Sequence, residues 1–134
     1  MDVKKIVFAA IFQFPSTHIG GIVPFFKLKE MPEPVVAPGH STAYGPTITG
    51  QELEIGYYTE PKGTGAQPHH HPSEQMIMVL AGRLRMRIDD EVREIGPGEV
   101  ALILGNQEHE QQALEEGTRF VSFKTAAGAQ PIDD

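Results

Sequence analysis

From residue 52 onward, apolar and polar positions exchange places every second residue, the period of a strand with one buried face. Leu53, Ile55 and Tyr57 alternate with Glu52, Glu54 and Tyr58, and Pro61-Lys-Gly-Thr-Gly65 then reads as a turn. Gln75 to Leu80 is a dense apolar strand broken at Ala81-Gly82. Leu84, Met86 and Ile88 alternate with Arg83, Arg85 and Arg87, which read as one solvated strand face. Asp89-Asp90-Glu91 forms a polar hairpin leading to Val92 and Ile95. Gly96-Pro97-Gly98 turns into Val100 to Leu104, a run apolar enough for burial on both faces. Gly105-Asn106 turns again, and His109 to Leu114 and Thr118 to Thr125 flank the turn Glu115-Glu-Gly117. No stretch of a dozen residues carries helical periodicity with caps. Many short strands at regular spacing predict an all-β antiparallel sandwich or barrel.

The pattern weakens before residue 51. Residues 15 to 50 hold six of the eleven Pro and five of the fourteen Gly; Phe25, Phe26 and Leu28 suit a short strand, and Pro32-Glu-Pro34 and Pro38-Gly39 read as loop. This arm has too little apolar content for a second domain, and the expectation is that it wraps the barrel or crosses to a partner subunit. The apolar run at residues 6 to 12 is interrupted by Gln13, has no prompt small-x-small site after it, and is far too short for a membrane span. It reads as an N-terminal strand, with export as the alternative. The chain is thus expected to be one domain: strand and arm over 1–50, barrel over 51–125, tail over 126–134. Sheet edges and a long arm are usually managed by pairing. A homodimer with strand exchange through residues 3 to 12 or the arm follows.

Composition narrows the partners. Eleven basic against eighteen acidic residues leave a net charge of −7, which argues against nucleic acid, because phosphate binding needs a basic footprint. The absence of cysteine removes disulfides and thiolate ligands and is compatible with the cytoplasm, the expected location.

The chemistry concentrates in the histidines. His69 and His71 stand two apart at the expected end of a strand, so period two puts both imidazoles on one face and sends His70 to the other. Pro72-Ser73-Glu74 turns the chain, and Gln75 opens the returning strand beside them. His109 opens a later strand, which a barrel would bring across to complete the cluster. Imidazole suits Fe, Zn, Ni, Mn or Cu, and a carboxamide oxygen is a credible hard supplement. Glu74 is the rival ligand if the strand starts one residue earlier. Gln111 shares a face with His109 by parity and is a candidate contact to substrate or ligand; Tyr57 and His40 are candidates to line the cavity. Met76 and Met78 read as packing residues.

These residues resemble the motifs of the cupin superfamily. Gly63, His69, His71, Gln75 and Gly82 meet every spacing of its first motif. Gly98 and His109 fit the second, with Leu104 where Pro is usual and Asn106 where Gly is usual; the Asn that usually follows the His after three residues is replaced by Ala113. The resemblance covers residues 52 to 125. It implies a double-stranded β-helix, or jelly roll, holding one divalent metal (Fe, Zn, Ni or Mn) through His69, His71, Gln75 and His109. It does not identify a reaction, because one barrel hosts many chemistries.

Three functions fit this reading. The first is a Lewis-acid enzyme on a small oxygenated substrate, an isomerase, lyase or cyclase. Asn106-Gln-Glu-His109, Ala113-Leu-Glu-Glu-Gly117 and Val121-Ser-Phe-Lys124 are similar to segments of small cupins that process unsaturated uronates in pectin breakdown. The second is an Fe(II) dioxygenase, although the set lacks the carboxylate common in such sites. The third is a metal- or sugar-binding module without turnover. Cupins that cleave sulfonium acids often carry Tyr where this chain has Ile77, which disfavours that chemistry. No residue is singled out as the catalytic acid or base.

Overall fold

Alternating side chains and frequent turns fold this chain into short antiparallel strands. The computed structural model describes residues 24–126 and, as backbone only, the strands β1 (Thr17–His18) and β2 (Gly21–Ile22), which pair with each other. The strand expected over 3 to 12 and the tail beyond 126 lie outside the described residues. A 3-10 turn at Leu28–Glu30 precedes β3 (Thr47–Thr49), β4 (Leu53–Glu60), β5 (Gly65–His69) and β6 (Gln75–Ala81). The chain continues through β7 (Leu84–Ile88), β8 (Glu91–Ile95), β9 (Val100–Ile103), β10 (His109–Ala113) and β11 (Thr118–Thr125). One sheet runs β5-β10-β7-β8 and the other β3-β4-β11-β6-β9, all pairs antiparallel. This is the jelly-roll architecture that the strand pattern and the motifs predict.

The core lies between the sheets. Ile77 and Val79 of β6, Leu84 and Met86 of β7, Ile103 of β9 and Phe120 of β11 are buried there together. Tyr58 meets Phe120 edge-on, ring centroids 5.8 Å apart. Each fully buried side chain of this size contributes about 1.5–3 kcal/mol by removal from water. The polar half of β7 points outward as expected: Arg87 Nη2 donates to Glu108 at 2.7 Å and Arg85 is exposed.

Three expectations fail. In β4 the inward face is Glu54, Gly56, Tyr58 and Glu60, not Leu53, Ile55 and Tyr57. The interior supplies partners for those carboxyls, Lys124 for Glu54 and Gln111 with Thr42 for Glu60, so the polar set goes in. In β9 only Ala101 and Ile103 are buried; Val100, Leu102 and Leu104 face outward. Finally, Phe25 is 85% exposed and Leu28 opens the 3-10 turn, so no strand forms there.

Part of the arm is hydrogen-bonded to the barrel strands. Tyr44 and Thr59 exchange backbone hydrogen bonds at 3.0 and 2.9 Å, Gln67 N–H donates to the His40 carbonyl at 3.0 Å, and β3 adds an edge strand to β4. These bonds tie residues 40–49 to the strands leading into the histidines.

Candidate metal centre

His69 and His109 are direct cross-strand partners on β5 and β10. Their rings therefore start on the same face, one strand spacing apart, and the centroids lie 4.2 Å from each other. β5 and β10 also approach closely at the other end of β5, where a Cβ on Gly65 would sit 1.8 Å from the Gln111 carbonyl oxygen, and the pairing shifts register between His109 and Gln111. His71, two residues past His69, returns to the same side, its ring 4.9 Å from His109 and 5.7 Å from His69. The turn before His109 is stitched to His71, since Asn106 N–H donates to the His71 carbonyl at 2.7 Å. Asn106 adopts φ +64, a left-handed conformation that Asn accepts more readily than most residues. Gly105 is required by the same packing, because a Cβ there would lie 2.6 Å from the Pro72 carbonyl.

The hydrogen bonds decide which ring nitrogen carries the proton. His69 Nδ1 lies 2.7 Å from the Gln67 carbonyl, His71 Nδ1 2.9 Å from that of Ser73, and His109 Nδ1 2.8 Å from that of Gln107. A carbonyl oxygen can only accept, so in His69 and His109 Nδ1 donates and Nε2 presents a lone pair; His71 Nδ1 also lies 2.9 Å from Ser73 Oγ, a hydroxyl that can donate to it. Ligand nitrogens from the three rings lie within 4.8 Å of one another. His109 Nε2 is buried with no hydrogen-bond partner, an arrangement that costs free energy without a ligand.

Gln75 joins from the opposite sheet. Its Nε2 donates to Ser122 Oγ at 2.8 Å, which turns Oε1 toward the imidazoles, 3.1 Å from His71 Nε2. His71 can donate Nε2–H to that oxygen while Nδ1 accepts from Ser73 Oγ; with the proton on Nδ1 instead, ring nitrogen and amide oxygen both offer lone pairs to a cation. Convergent lone pairs, an orphaned buried nitrogen and a facing acceptor all fit a divalent ion with N and O ligands.

Burial favours the neutral form of all three imidazoles. Burial, followed by the Lys124 charge, pushes His71 down to about 4. Burial first and then the neighbouring histidines push His109 down to about 4. His69 is lowered mainly by burial.

A cavity of about 70 Å³ opens onto the cluster. His40 and Ser41 of the arm line it, as do Gln111, Tyr58, Ser122 and Lys124. Gln111 Nε2 donates to Glu60 Oε1 at 2.7 Å. Tyr57, expected to line the barrel, lies instead on the outer face; its hydroxyl accepts from Arg119 Nη1 at 2.9 Å, with the guanidinium 4.8 Å from its ring centre. The reversal of β4 gives the interior position to Tyr58, whose hydroxyl pairs with Thr47. His70 and Glu74 are exposed, as their parity requires, and Met76 faces outward.

Four polar residues of this neighbourhood do not stand out in the sequence. Ser73 sits in what reads only as a turn. Ser122 and Lys124 belong to a strand with apolar residues on both faces, which hides its parity. Glu60 precedes a turn, where a carboxylate is ordinarily solvated, yet here it is fully buried.

The model of the cupin domain matches residues 56–122, half of the chain. Among curated proteins none matches. Solved structures do. The structure of KdgF from Halomonas sp. aligns with a TM-score of 0.68 at 21% identity, covering 76% of this chain and 92% of that one. An RmlC-like cupin from Shewanella frigidimarina gives 0.64 at 15% identity, covering 77% and 90%. The Bacillus subtilis oxalate decarboxylase, a protein with Mn(II) centres, gives 0.63 at 19% identity, covering 76% of this chain and 29% of that one. At these identities the likeness is one of fold. The family match, the two-sheet jelly roll and the placement of both histidine motifs agree: the chain belongs to the cupin family.

Proposed function

We propose that His69, His71, Gln75 and His109 hold one divalent metal (Fe, Zn, Ni or Mn) in an enzyme of the isomerase or lyase type. Its substrate would be a small oxygenated molecule of the sugar-acid or keto-acid kind. The observation that carries this reading is the set of three imidazoles whose ligand nitrogens lie within 4.8 Å of one another while each Nδ1 faces a backbone carbonyl. A metal bound there supplies Lewis acidity toward a carbonyl or carboxylate oxygen. Three neutral imidazoles and a neutral amide do not offset its charge, so an anionic substrate is welcome.

The chain's own residues supply the rest. Besides the ligands and Tyr58, His40 and Lys124 are the titratable side chains lining the cavity among the described residues, and both can hold a proton near a bound substrate. Gln111, its amide nitrogen committed to Glu60, keeps its oxygen to accept from a substrate hydroxyl. These polar groups within a partly apolar lining support catalysis over passive binding, which an apolar lining throughout would serve. The small volume beside the imidazoles supports a substrate whose reacting end enters while the remainder stays at the arm. The similarity of the His109 and Lys124 segments to uronate-processing cupins points the same way.

Elemental analysis of protein purified without added metal or a histidine tag, beside His71→Ala, tests the site. Near-stoichiometric Zn, Ni or Mn lost in the variant supports Lewis-acid chemistry and directs assays to uronates and keto acids. Iron with oxygen uptake would move the reading to a dioxygenase, and no metal even on titration would overturn the site.

We further propose that the chain works as a homodimer. Phe123 pairs with Ile55 and with Met76, and Met76 with Leu102, a row across the outer face of the five-stranded sheet. Phe123, Met76 and Leu102 are 41, 40 and 49% exposed. Contiguous apolar surface of this kind marks an association site.

A further inference from the structure

We propose that Glu60 is a positioning residue of this cavity: it holds the Gln111 carboxamide by its nitrogen and so turns the amide oxygen to the cavity, where it accepts from a substrate hydroxyl. The inference rests on the metal-enzyme reading above and narrows its substrate class to hydroxy acids, sugar acids among them, over keto acids.

Glu60 ends β4 on its inward face and is fully buried. Gln111 lies on β10, two residues past His109, opposite the buried Met86 of β7, so it takes the inner face while Glu110 and Gln112 take the outer one. It lines the same cavity as the histidines. Its Nε2 donates to Glu60 Oε1 at 2.7 Å. An amide nitrogen donates and an amide oxygen accepts, so this contact fixes which end of the planar carboxamide meets Glu60. The oxygen is directed away from Glu60, and among the described residues no donor meets it.

A buried carboxyl is costly unless hydrogen-bonded, and an apolar side chain at position 60 would avoid that cost. What the carboxyl adds is direction. Its Oε2 meets Thr42 Oγ1 at 2.9 Å; Thr42 Oγ1 lies 2.6 Å from Thr64 Oγ1, which donates to the Pro61 carbonyl at 2.6 Å. Thr42 follows His40 and Ser41, the arm residues that line the cavity. Glu60 therefore ties the arm to β10, and Gln111 cannot turn over without losing a buried bond. Turned over, the amide would set oxygen against oxygen at Glu60 and face the cavity with a donor, which a keto oxygen could use. As it stands, a hydroxyl finds an acceptor, whereas a keto oxygen meets another acceptor.

The probes are lactate, as each enantiomer, and pyruvate, which share one carbon frame and differ in hydroxyl against carbonyl. They are titrated calorimetrically into the full chain after Zn(II) uptake has been measured for each variant. The affinity ratio of lactate to pyruvate should fall by about tenfold in Gln111→Met and in Glu60→Met, with Zn(II) binding as in the wild type, because one directed hydrogen bond is lost. Glu60→Gln should keep the wild-type ratio: its amide oxygen can accept from Gln111 and its nitrogen can donate to Thr42, whose own proton then goes to Thr64. A role in packing alone would not separate Gln from Met by the hydroxyl preference. With Zn(II) binding intact, a ratio unchanged in Glu60→Met or in Gln111→Met, or lost in Glu60→Gln, overturns the assignment. Should Glu60→Met fail to fold, the wild type decides. Its Gln111 carboxamide protons, assigned by NMR from their absence in Gln111→Met, should exchange slowly with water when Zn(II) is bound; fast exchange would show the nitrogen turned to the cavity and overturn the proposal. A wild type that takes up Zn(II) but binds neither acid overturns the substrate class and leaves the metal site standing. One that takes up no Zn(II) overturns the metal reading, and the inference with it.

Discussion

Ser122 holds Gln75 by its amide nitrogen, 2.8 Å across the β11–β6 pair, and so aims the amide oxygen at His71. Ser122, the acceptor, comes from β11, a strand that carries none of the proposed ligands. Partners of this kind commonly account for about 10–100-fold in metal affinity. Ser122→Ala should therefore weaken metal binding by about tenfold with the fold retained. Competition titration against a chelating indicator, beside circular dichroism, checks it. An unchanged affinity would mean that Gln75 is not a ligand.

The adjacent histidines make a sharper contrast. His109 is buried with an orphaned Nε2, whereas His70 is exposed on the opposite side of the strand end. His109→Ala should lower metal occupancy sharply; His70→Ala should leave it at the wild-type level. The pair is read by elemental analysis after identical purification, and equal losses in both would overturn the ligand set. Removing His109 also removes an unsatisfied buried nitrogen, so the metal-free variant should not be greatly destabilised beyond its lost packing.

The parts of this site legible in the sequence are those governed by local rules. His69 and His71 share a side because side chains alternate, and Asn106 accommodates φ +64 where a tight turn is expected. What hides is set by contacts remote in sequence. The inward face of β4 cannot be read from hydrophobicity, because Glu54 and Glu60 are buried only by virtue of Lys124, Gln111 and Thr42. The exposed side of β9 is concealed by the opposite ambiguity: Val100 and Leu102 look like core, but nothing in this chain's described residues covers them.

Acid titration of the metal-free protein should reveal two effects of opposite sign. His71 and His109 are held down to about 4 in the fold, below their ordinary value of 6.5, so between these values the unfolded chain binds more protons. The stability they leave intact above pH 6.5 is therefore lost as the pH falls toward 4. Glu60 is raised above its ordinary 4.5, chiefly by burial, so the folded state takes up its proton first and gains stability as the pH falls through that raised value. Glu60→Gln removes the second effect and can keep the bonds to Gln111 and Thr42. Its stability should accordingly fall more steeply than that of the wild type between neutral pH and pH 4.5. Urea denaturation across that range tests the difference; parallel curves would place Glu60 in contact with solvent.

The outer row Ile55–Phe123–Met76–Leu102 leads to a prediction about assembly. If a second copy covers it, the four side chains lie near the centre of an interface, where one truncated or charged anchor typically costs about 2 kcal/mol or more. Met76→Glu should then raise the dimer dissociation constant by about thirtyfold or more, since 1.4 kcal/mol is tenfold. Light scattering across a dilution series measures this for the wild type and the variant. Val92 is also apolar and 46% exposed, on β8 of the other sheet, so Val92→Glu serves as the control and should dissociate the dimer less. A wild type that is monomeric at micromolar concentration would show that this face is covered by something other than a second copy. Because Met76 adjoins Gln75 in β6 but points away from it, a dimer broken by Met76→Glu should still take up metal. Loss of metal in the monomer would instead mean that the interface, and not only the barrel, holds Gln75 in place.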